Sequence, residues 1–565
     1  MTAGPDLDEA IEIASLLSVT ADRVVGAALD HGADALAGGR RIDDAQPHAE
    51  RLAYLATEAR AARELTAYAR RARAAGRLDD LTAESAAVYA GLTVAHLAQE
   101  LLTRPGTFGV EPDAGEALLL APVVRRATAA ALDDTRAQRL GAGVIAARGQ
   151  NLCWLGDEVA EMARDSVRQF ARSEVAPLAE RIHRDDELVP DQVIGRMAEL
   201  GFFGTTIPVE YGGAAMGSLV MVVTTEELSA ASLGAAGSLI TRPEILAKAL
   251  LTGGTEAQKR AWLPRIAAGE IMVGVAVTEP DVGSDVASLS TRAVRGEWEG
   301  RPGWRITGAK AWSTFSGRAD VLALLARTDA DPASGSKGLT LFIVPKDPFY
   351  GRQWEMVQPE GGRIVGTANP TPGYRGMHSF TLAIDDYWVP AENVVGEEAG
   401  VGRGFALQMT GFAAGRLQTG GRACGVAQAA IERAADYVAG RVQFGRPIAE
   451  YTLTQHRVGT LWAQLAAARA LTYAAAAEIE RPGDRGLGAA MAKLLACDVA
   501  VTLTQAGQQL HGGWGYSEEQ AISRYVVDAL VLPIFEGVKP ILELKVIARA
   551  LLAHDERPRH TQGGS

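Results

Sequence analysis

At 565 residues, with 47% hydrophobic and 22% charged residues, the chain has a globular composition and exceeds what one core serves, so several domains are expected. A formal net charge of -12 argues against a protein whose main business is nucleic acid, because phosphate binding needs concentrated Lys and Arg. No apolar run reaches the ~18 residues of a membrane span, and Asp6, Asp8, Glu9 and Glu12 stand where a basic leader would, so a cytoplasmic enzyme away from membranes is expected. Cys153, Cys424 and Cys497 form no Cys-x-x-Cys pair and the histidines no His-Glu-x-x-His pair, so neither a disulfide framework nor a metal site is expected.

In chain order, residues 1–150 are rich in Ala and Arg, and Leu52, Leu55, Ala59, Ala62 and Ala69 trace one helical face, with breaks at Pro105-Gly106 and Pro112. This predicts a helical extension. Residues 151–270 continue as helices, with Val159, Met162, Ala163 and Phe170 on one face and a helix from about Thr255 to Ile266. Residues 271–395 turn to strands, expected at Met272 to Glu279, Trp304 to Thr314, Val321 to Thr328, Leu339 to Pro345 and Phe380 to Val389. Residues 396–565 return to helical spacing, as in Val458, Leu461, Trp462 and Leu465. The Gly-x-Gly-x-Gly run from Gly400 to Gly404 follows no hydrophobic strand and lacks the fuller dinucleotide spacing, so it reads as a loop.

The motifs with chemical content are four. Near the C-terminus, Gln509, Gly512, Gly513, Gly515, Glu519, Arg524 and Asp528 recur at fixed spacing ahead of Phe535-Glu536-Gly537. Glycines there suit a helix end that backbone or ligand must approach, and Glu536 stands between an aromatic residue and a glycine, a partly apolar setting for a carboxylate. The others are Ala276-Val277-Thr278-Glu279-Pro280-Asp281-Val282-Gly283-Ser284-Asp285, Gly308-Ala309-Lys310-Ala311-Trp312-Ser313-Thr314, and Arg441-Val442-Gln443-Phe444-Gly445-Arg446-Pro447-Ile448.

Together, over residues 276–537, they resemble the acyl-CoA dehydrogenase family. The fold this implies is mainly α with a central β domain: a helical domain, a β-barrel-like domain and a C-terminal four-helix bundle, here with the N-terminal helical extension. The resemblance implies FAD as cofactor. Val277 and Thr278 would lie along the flavin, Ser284 would bind pyrophosphate at a turn rich in free N–H groups, Trp312 would cover one flavin face and Thr314 would approach N5. Arg441, Phe444, Gln509, Gly512 and Gly513 would reach the FAD of a neighbouring subunit, which implies a homodimer or homotetramer. Trp312 as a plain core aromatic is set aside because Thr314, two residues on, would share its side of a strand.

The reaction implied is α,β-desaturation of an acyl-CoA thioester, with Glu536 taking the α-proton and an electron-transferring flavoprotein as partner. The thioester oxygen then needs placed donors, as in an oxyanion hole, and the backbone beside Glu536 and Gly537 would supply one. Some relatives place the base just before the arginine of the first C-terminal helix, but Gly415 stands before Arg416 here. Three departures stand out: Val282 where a small residue is usual, Phe315-Ser316 where Asn-Gly is common, and Val538-Lys539-Pro540 in place of a Thr-containing continuation.

Gly373 to Phe380, Gly411 to Arg416 and the extension resemble members of the family acting on a short, branched dicarboxylic acyl-CoA, methylsuccinyl-CoA first. A free carboxylate in a hydrocarbon pocket needs a cation or several donors. Arg242, Tyr374, Arg375 and His378 are the expected providers, with Arg416 also on the substrate; pairing of Arg242 with Glu244 or a nearby acid is the competing reading. A dehydrogenase or oxidase for another short acyl-CoA, and a DNA-associated flavoprotein of the same fold, are the alternatives.

Overall fold

The computed structural model describes residues 6–109, 117 and 119–553; Pro112 lies outside them. Among the described residues the chain opens with α1 (Leu7–Ala35), α2 (Gln46–Ala74), α3 (Asp80–Thr103), α4 (Pro122–Ala131) and α5 (Asp134–Ala146). Next come α6 (Glu158–Phe170), α7 (Ala176–Arg184), α8 (Asp191–Glu199), α9 (Gly217–Ala231), α10 (Thr241–Gly253) and α11 (Glu256–Ala267). Eight strands follow, and after them α12 (Gly404–Gly440), α13 (Thr452–Glu478), α14 (Leu487–Leu510), α15 (Ala521–Ala529), α16 (Lys539–Ile541), a π-helical stretch Leu542–Ala548 and α17 (Arg549–Leu552). The chain forms two compact units, one of Met162–Gly425 and one of Met1–Glu161 with Val426–Ser565.

In the unit of residues 162–425, α11 starts where its sequence says it should: Thr255 and Gln258 make a reciprocal capping box that satisfies two orphan N–H groups. The strands are β1 (Val273–Ala276), β2 (Arg292–Trp298), β3 (Arg301–Thr314), β4 (Val321–Arg327), β5 (Leu339–Pro345), β6 (Gln353–Val357), β7 (Arg363–Asn369) and β8 (Ser379–Pro390). They form one sheet in the order β1-β4-β2-β3-β8-β7-β6, with β5 paired to β4. The unbroken apolar runs of β4 and β5 are explained by burial on both faces. Val321, Ala323, Leu325, Leu339, Leu341 and Ile343 pack with Leu246, Leu250, Leu263 and Ile266 of α10 and α11, while Leu322, Leu324, Phe342 and Val344 pack on the other side with Trp304, Ile306, Phe380 and Leu382. Strands β2, β6 and β7 were not expected from sequence; they alternate with exposed, largely charged or polar positions. The Gly400–Gly404 run is a loop entering α12, as read.

In the other unit the extension packs on the C-terminal helices. Gly141 of α5 and Gly459 of α13 mark where two backbones cross: a Cβ on Gly141 would lie 1.7 Å from the carbonyl oxygen of Gln455, and one on Gly459 would lie 2.1 Å from that of Ala137. Leu52, Leu55, Ala59, Ala62 and Ala69 of α2, and Val458, Leu461, Trp462 and Leu465 of α13, are all buried. Arg148 pairs with Asp436 at 2.8 Å, and Arg60 with Glu478. The expected face on α6 is corrected in part: Val159 and Met162 are 53% and 74% exposed and Ala163 is half-buried, whereas Phe170 is buried, together with Ala160 and Val167. Helix α14 is long and apolar enough to cross a membrane by composition, but 78% of its most apolar window is buried inside the protein.

Candidate active site

In the unit of residues 162–425, the first signature runs out of β1 beside β3. Ser313 Oγ donates to Val275 O at 2.9 Å and Ala311 N to Thr278 O at 2.8 Å, which brings Val277 and Thr278 alongside Trp312. Between Lys310 and Ser313, β3 sets two residues, Ala311 and Trp312, against the single Thr381 of β8. This bulge holds Trp312 at φ +57° and leaves its indole 60% exposed, while Thr314 is buried with its hydroxyl 2.8 Å from that of Ser379. Strict strand alternation therefore fails here; a bulge is the standard way to re-aim one side chain. Ser284 is exposed beside Gly283, where an added Cβ would meet nothing within 4 Å.

Arg242, at the start of α10, is 6% exposed. Its guanidinium donates to Ser238 O and to Tyr374 Oη, both at 2.8 Å, and approaches Met377 Sδ at 3.8 Å. No carboxylate partners it among the described residues. Glu244 is engaged elsewhere, by the Thr206 hydroxyl at 2.6 Å and Lys248 at 3.5 Å, so the competing reading of Arg242 does not hold. Arg422 of α12, fully buried, donates to Ser238 Oγ at 2.8 Å, and Gln418 one turn before it has neither amide atom partnered. Tyr374 thus faces Arg242. Arg375 and His378 turn the other way: Arg375 donates to His183 O at 2.8 Å, and His378 Nε2 lies 3.2 Å from Asp186 Oδ1. Arg416 is half-buried on α12, one residue after the side-chain-less Gly415.

In the other unit, Val442–Gln443 and Arg446–Pro447 form a two-stranded hairpin inside the stretch of residues 396–565 that was expected to be helical. Phe444 and Gly445 at φ +50° and +84° make its two-residue turn, and Phe444 is 96% exposed at the tip. Arg441 is exposed just before it. Gln509 accepts from Arg457 at 2.8 Å, and Gly512 and Gly513 lie open, with nothing within 4 Å of an added Cβ. Glu536 is half-buried at φ +55°, followed by Gly537 at +106°.

Family models for the N-terminal, middle and C-terminal domains of acyl-CoA dehydrogenases match residues 157–270, 274–387 and 402–552. The chain belongs to the acyl-CoA dehydrogenase family. A (2S)-methylsuccinyl-CoA dehydrogenase of Cereibacter sphaeroides is 38% identical over 92% of this chain and 93% of its own. A solved butyryl-CoA dehydrogenase of Megasphaera elsdenii is 28% identical, with a TM-score of 0.64, over 71% of this chain and 99% of that one. A structure described as the electron transferring flavoprotein of Acidaminococcus fermentans matches with the same identity and score over 72% of this chain. Acyl-CoA dehydrogenase activity with FAD follows from membership. The residues fit the cofactor: the uncovered indole of Trp312 is a platform for a flat ring system, and the open Gly283-Ser284 turn leaves room for phosphate oxygens.

Two residues inside the quoted motifs, Lys310 and Glu279, have a role that their sequence does not announce. Lys310, fully buried, donates to Val277 O and to Glu279 Oε1, both at 3.0 Å, and Glu279 also accepts from Ser290 N and Thr291 N at 2.8 Å. The pair ties the signature turn to β3. Burial opposes the charge on Glu279, but Lys310 and these donors outweigh it and hold the carboxyl at about 2; burial pulls Lys310 down to about 8. Since the folded-state value of Glu279 lies below its ordinary 4.5, its stabilising share is whole above 4.5 and is lost as pH falls toward 2. Lys310→Met strands a buried carboxylate and is expected to destabilise the fold by ~3–5 kcal/mol, read as a lowered urea midpoint at neutral pH. An unchanged midpoint would show that the pair does not hold the turn.

Proposed function

We propose that the chain oxidises a short, branched dicarboxylic acyl-CoA, (2S)-methylsuccinyl-CoA first, to its α,β-unsaturated thioester, mesaconyl-CoA. The observation that carries this reading is Arg242: a buried guanidinium with no carboxylate among the described residues is costly unless an anion completes the site. Tyr374 fixes its orientation and Arg422 adds a second buried cation at Ser238. Similarity to the methylsuccinyl-CoA enzyme through the extension supports the same substrate; the butyryl-CoA enzyme matches only 71% of the chain.

In this reading Glu536 takes the α-proton, and the peptide N–H groups beside it polarise the thioester oxygen, which lowers the barrier by stabilising charge as it develops. Bound FAD supplies the acceptor for the β-hydride. An electron-transferring flavoprotein would reoxidise the enzyme. The exposed hairpin tip at Phe444 and the open Gly512-Gly513 pair are surfaces for the FAD of a second copy. The purified protein is therefore expected to be yellow, with about one FAD per subunit in a homodimer or homotetramer, as read by absorbance and light scattering; a colourless monomer that FAD does not reconstitute would sink this reading. Substrate is tested by anaerobic bleaching of the flavin with a panel of acyl-CoAs. Methylsuccinyl-CoA should bleach it fastest, and faster bleaching by butyryl- or isovaleryl-CoA would remove the assignment.

A further inference from the structure

Glu536 occupies the left-handed backbone region, at φ +55°, where a residue with a side chain persists only if its surroundings hold it. Part of that hold comes from two side chains anchored on α14. Lys493 is fully buried, and its Nζ donates to the carbonyl oxygen of Gly537 at 2.7 Å. A buried ammonium is a poor way to fill space when a methionine of similar size would do so at less cost, so its presence points to the polar contacts it makes, the bond to Gly537 among them. Five residues further along α14, Asp498 Oδ2 accepts from Lys539 Nζ at 2.6 Å. The backbone N–H of Lys539 donates to Pro533 O at 2.9 Å, which closes the loop around Glu536.

The same Asp498 oxygen accepts from the hydroxyl of Tyr54 at 2.9 Å. Tyr54 belongs to α2 of the N-terminal extension, and Lys539 Nζ lies 4.9 Å from the centre of its ring. Lys539 stands in the stretch where this sequence departs from the signature's usual Thr-containing continuation, and the departure is what meets the extension. Burial works against the charge on Lys539, but its bond to Asp498 prevails and raises its proton affinity; burial, first, and Asp498 raise that of the Tyr54 hydroxyl. Both stay protonated donors at neutral pH. Among the described residues, Glu50 and Glu543 are the other titratable groups facing Lys539, and burial pushes the Glu543 carboxyl up to about 7.

We propose that Lys493, Lys539 and Tyr54 are positioning residues for the base, so that the N-terminal helices brace the catalytic loop through Asp498. This rests on Glu536 being the base. The test uses the FAD-loaded, full-length enzyme with Lys493→Met, Lys539→Met and Tyr54→Phe, alongside Glu536→Gln. It measures FAD content, acyl-CoA affinity, the limiting rate of flavin reduction and its isotope effect with substrate deuterated at Cα. Lys493→Met and Lys539→Met are expected to slow reduction ~10–100-fold, the scale of a small misplacement of a reacting group. FAD content and acyl-CoA affinity should stay near wild type while the isotope effect rises. Tyr54→Phe should slow reduction less, and adding it to Lys539→Met should cost little more, because both act on one carboxylate.

Wild-type rates and isotope effects in the lysine variants would overturn the proposal, as would losses that merely follow lost FAD or weakened acyl-CoA binding. If Lys493→Met fails to fold, Lys539→Met and Tyr54→Phe decide by the same readouts, and an unaltered Tyr54→Phe removes the role of the extension. Glu536→Gln separates the two levels. If it keeps its rate the base lies elsewhere, whereas if it alone is slow the base stands and the positioning does not.

Discussion

Replacing Glu536 by Gln is expected to leave a yellow protein that binds acyl-CoA but reduces its flavin at least ~100-fold more slowly, the lower range for a lost general base. Gln keeps the shape, the backbone N–H and the packing of Glu536, and removes only the proton acceptor. The α-proton of a thioester is too weakly acidic to leave unaided, so the loss should appear in the limiting rate rather than in affinity. The alternative position for a base, just before Arg416, is Gly415, which has no side chain to take over the proton. Stopped-flow reduction under anaerobic conditions gives the answer, and near-normal kinetics would place the base elsewhere.

Arg242→Met is expected to split the substrates. Truncating one partner of a buried, hydrogen-bonded charge pair costs ~2 kcal/mol or more, a factor of ~30. Turnover of methylsuccinyl-CoA should fall by that much, and an uncharged acyl-CoA of the same shape should lose far less, since methionine fills a similar volume. Tyr374 loses its donor in the variant and Arg422 remains, so residual binding of the dicarboxylate is expected rather than none. Equal losses on both substrates would leave a general short-chain enzyme.

The family, the helix-strand-helix order and the long apolar elements were legible because each is written locally. Runs such as Val321 to Arg327 read as strands whatever they pack on, and Thr255 with Gln258 announces a helix start. Strands β2, β6 and β7 were not legible, since exposed polar strands owe their existence to a neighbouring ladder rather than to their own pattern. Val159 and Met162 show the same limit from the other side: apolar spacing on α6 named a face, and packing left those two side chains in solvent.

At the site, the residue types and their order along the chain came from sequence alone: a glutamate before a glycine, an aromatic on a strand, a glycine pair after a helix. Which partners they have did not. The bulge that turns out Trp312, the engagement of Glu244 that leaves Arg242 without an acid, the turning of Arg375 and His378 toward residues 183–186, and the hold of Lys493 on Gly537 each join positions distant in sequence. A buried charge is costly in proportion to what it fails to meet, and what it meets is decided only when the chain has folded around it.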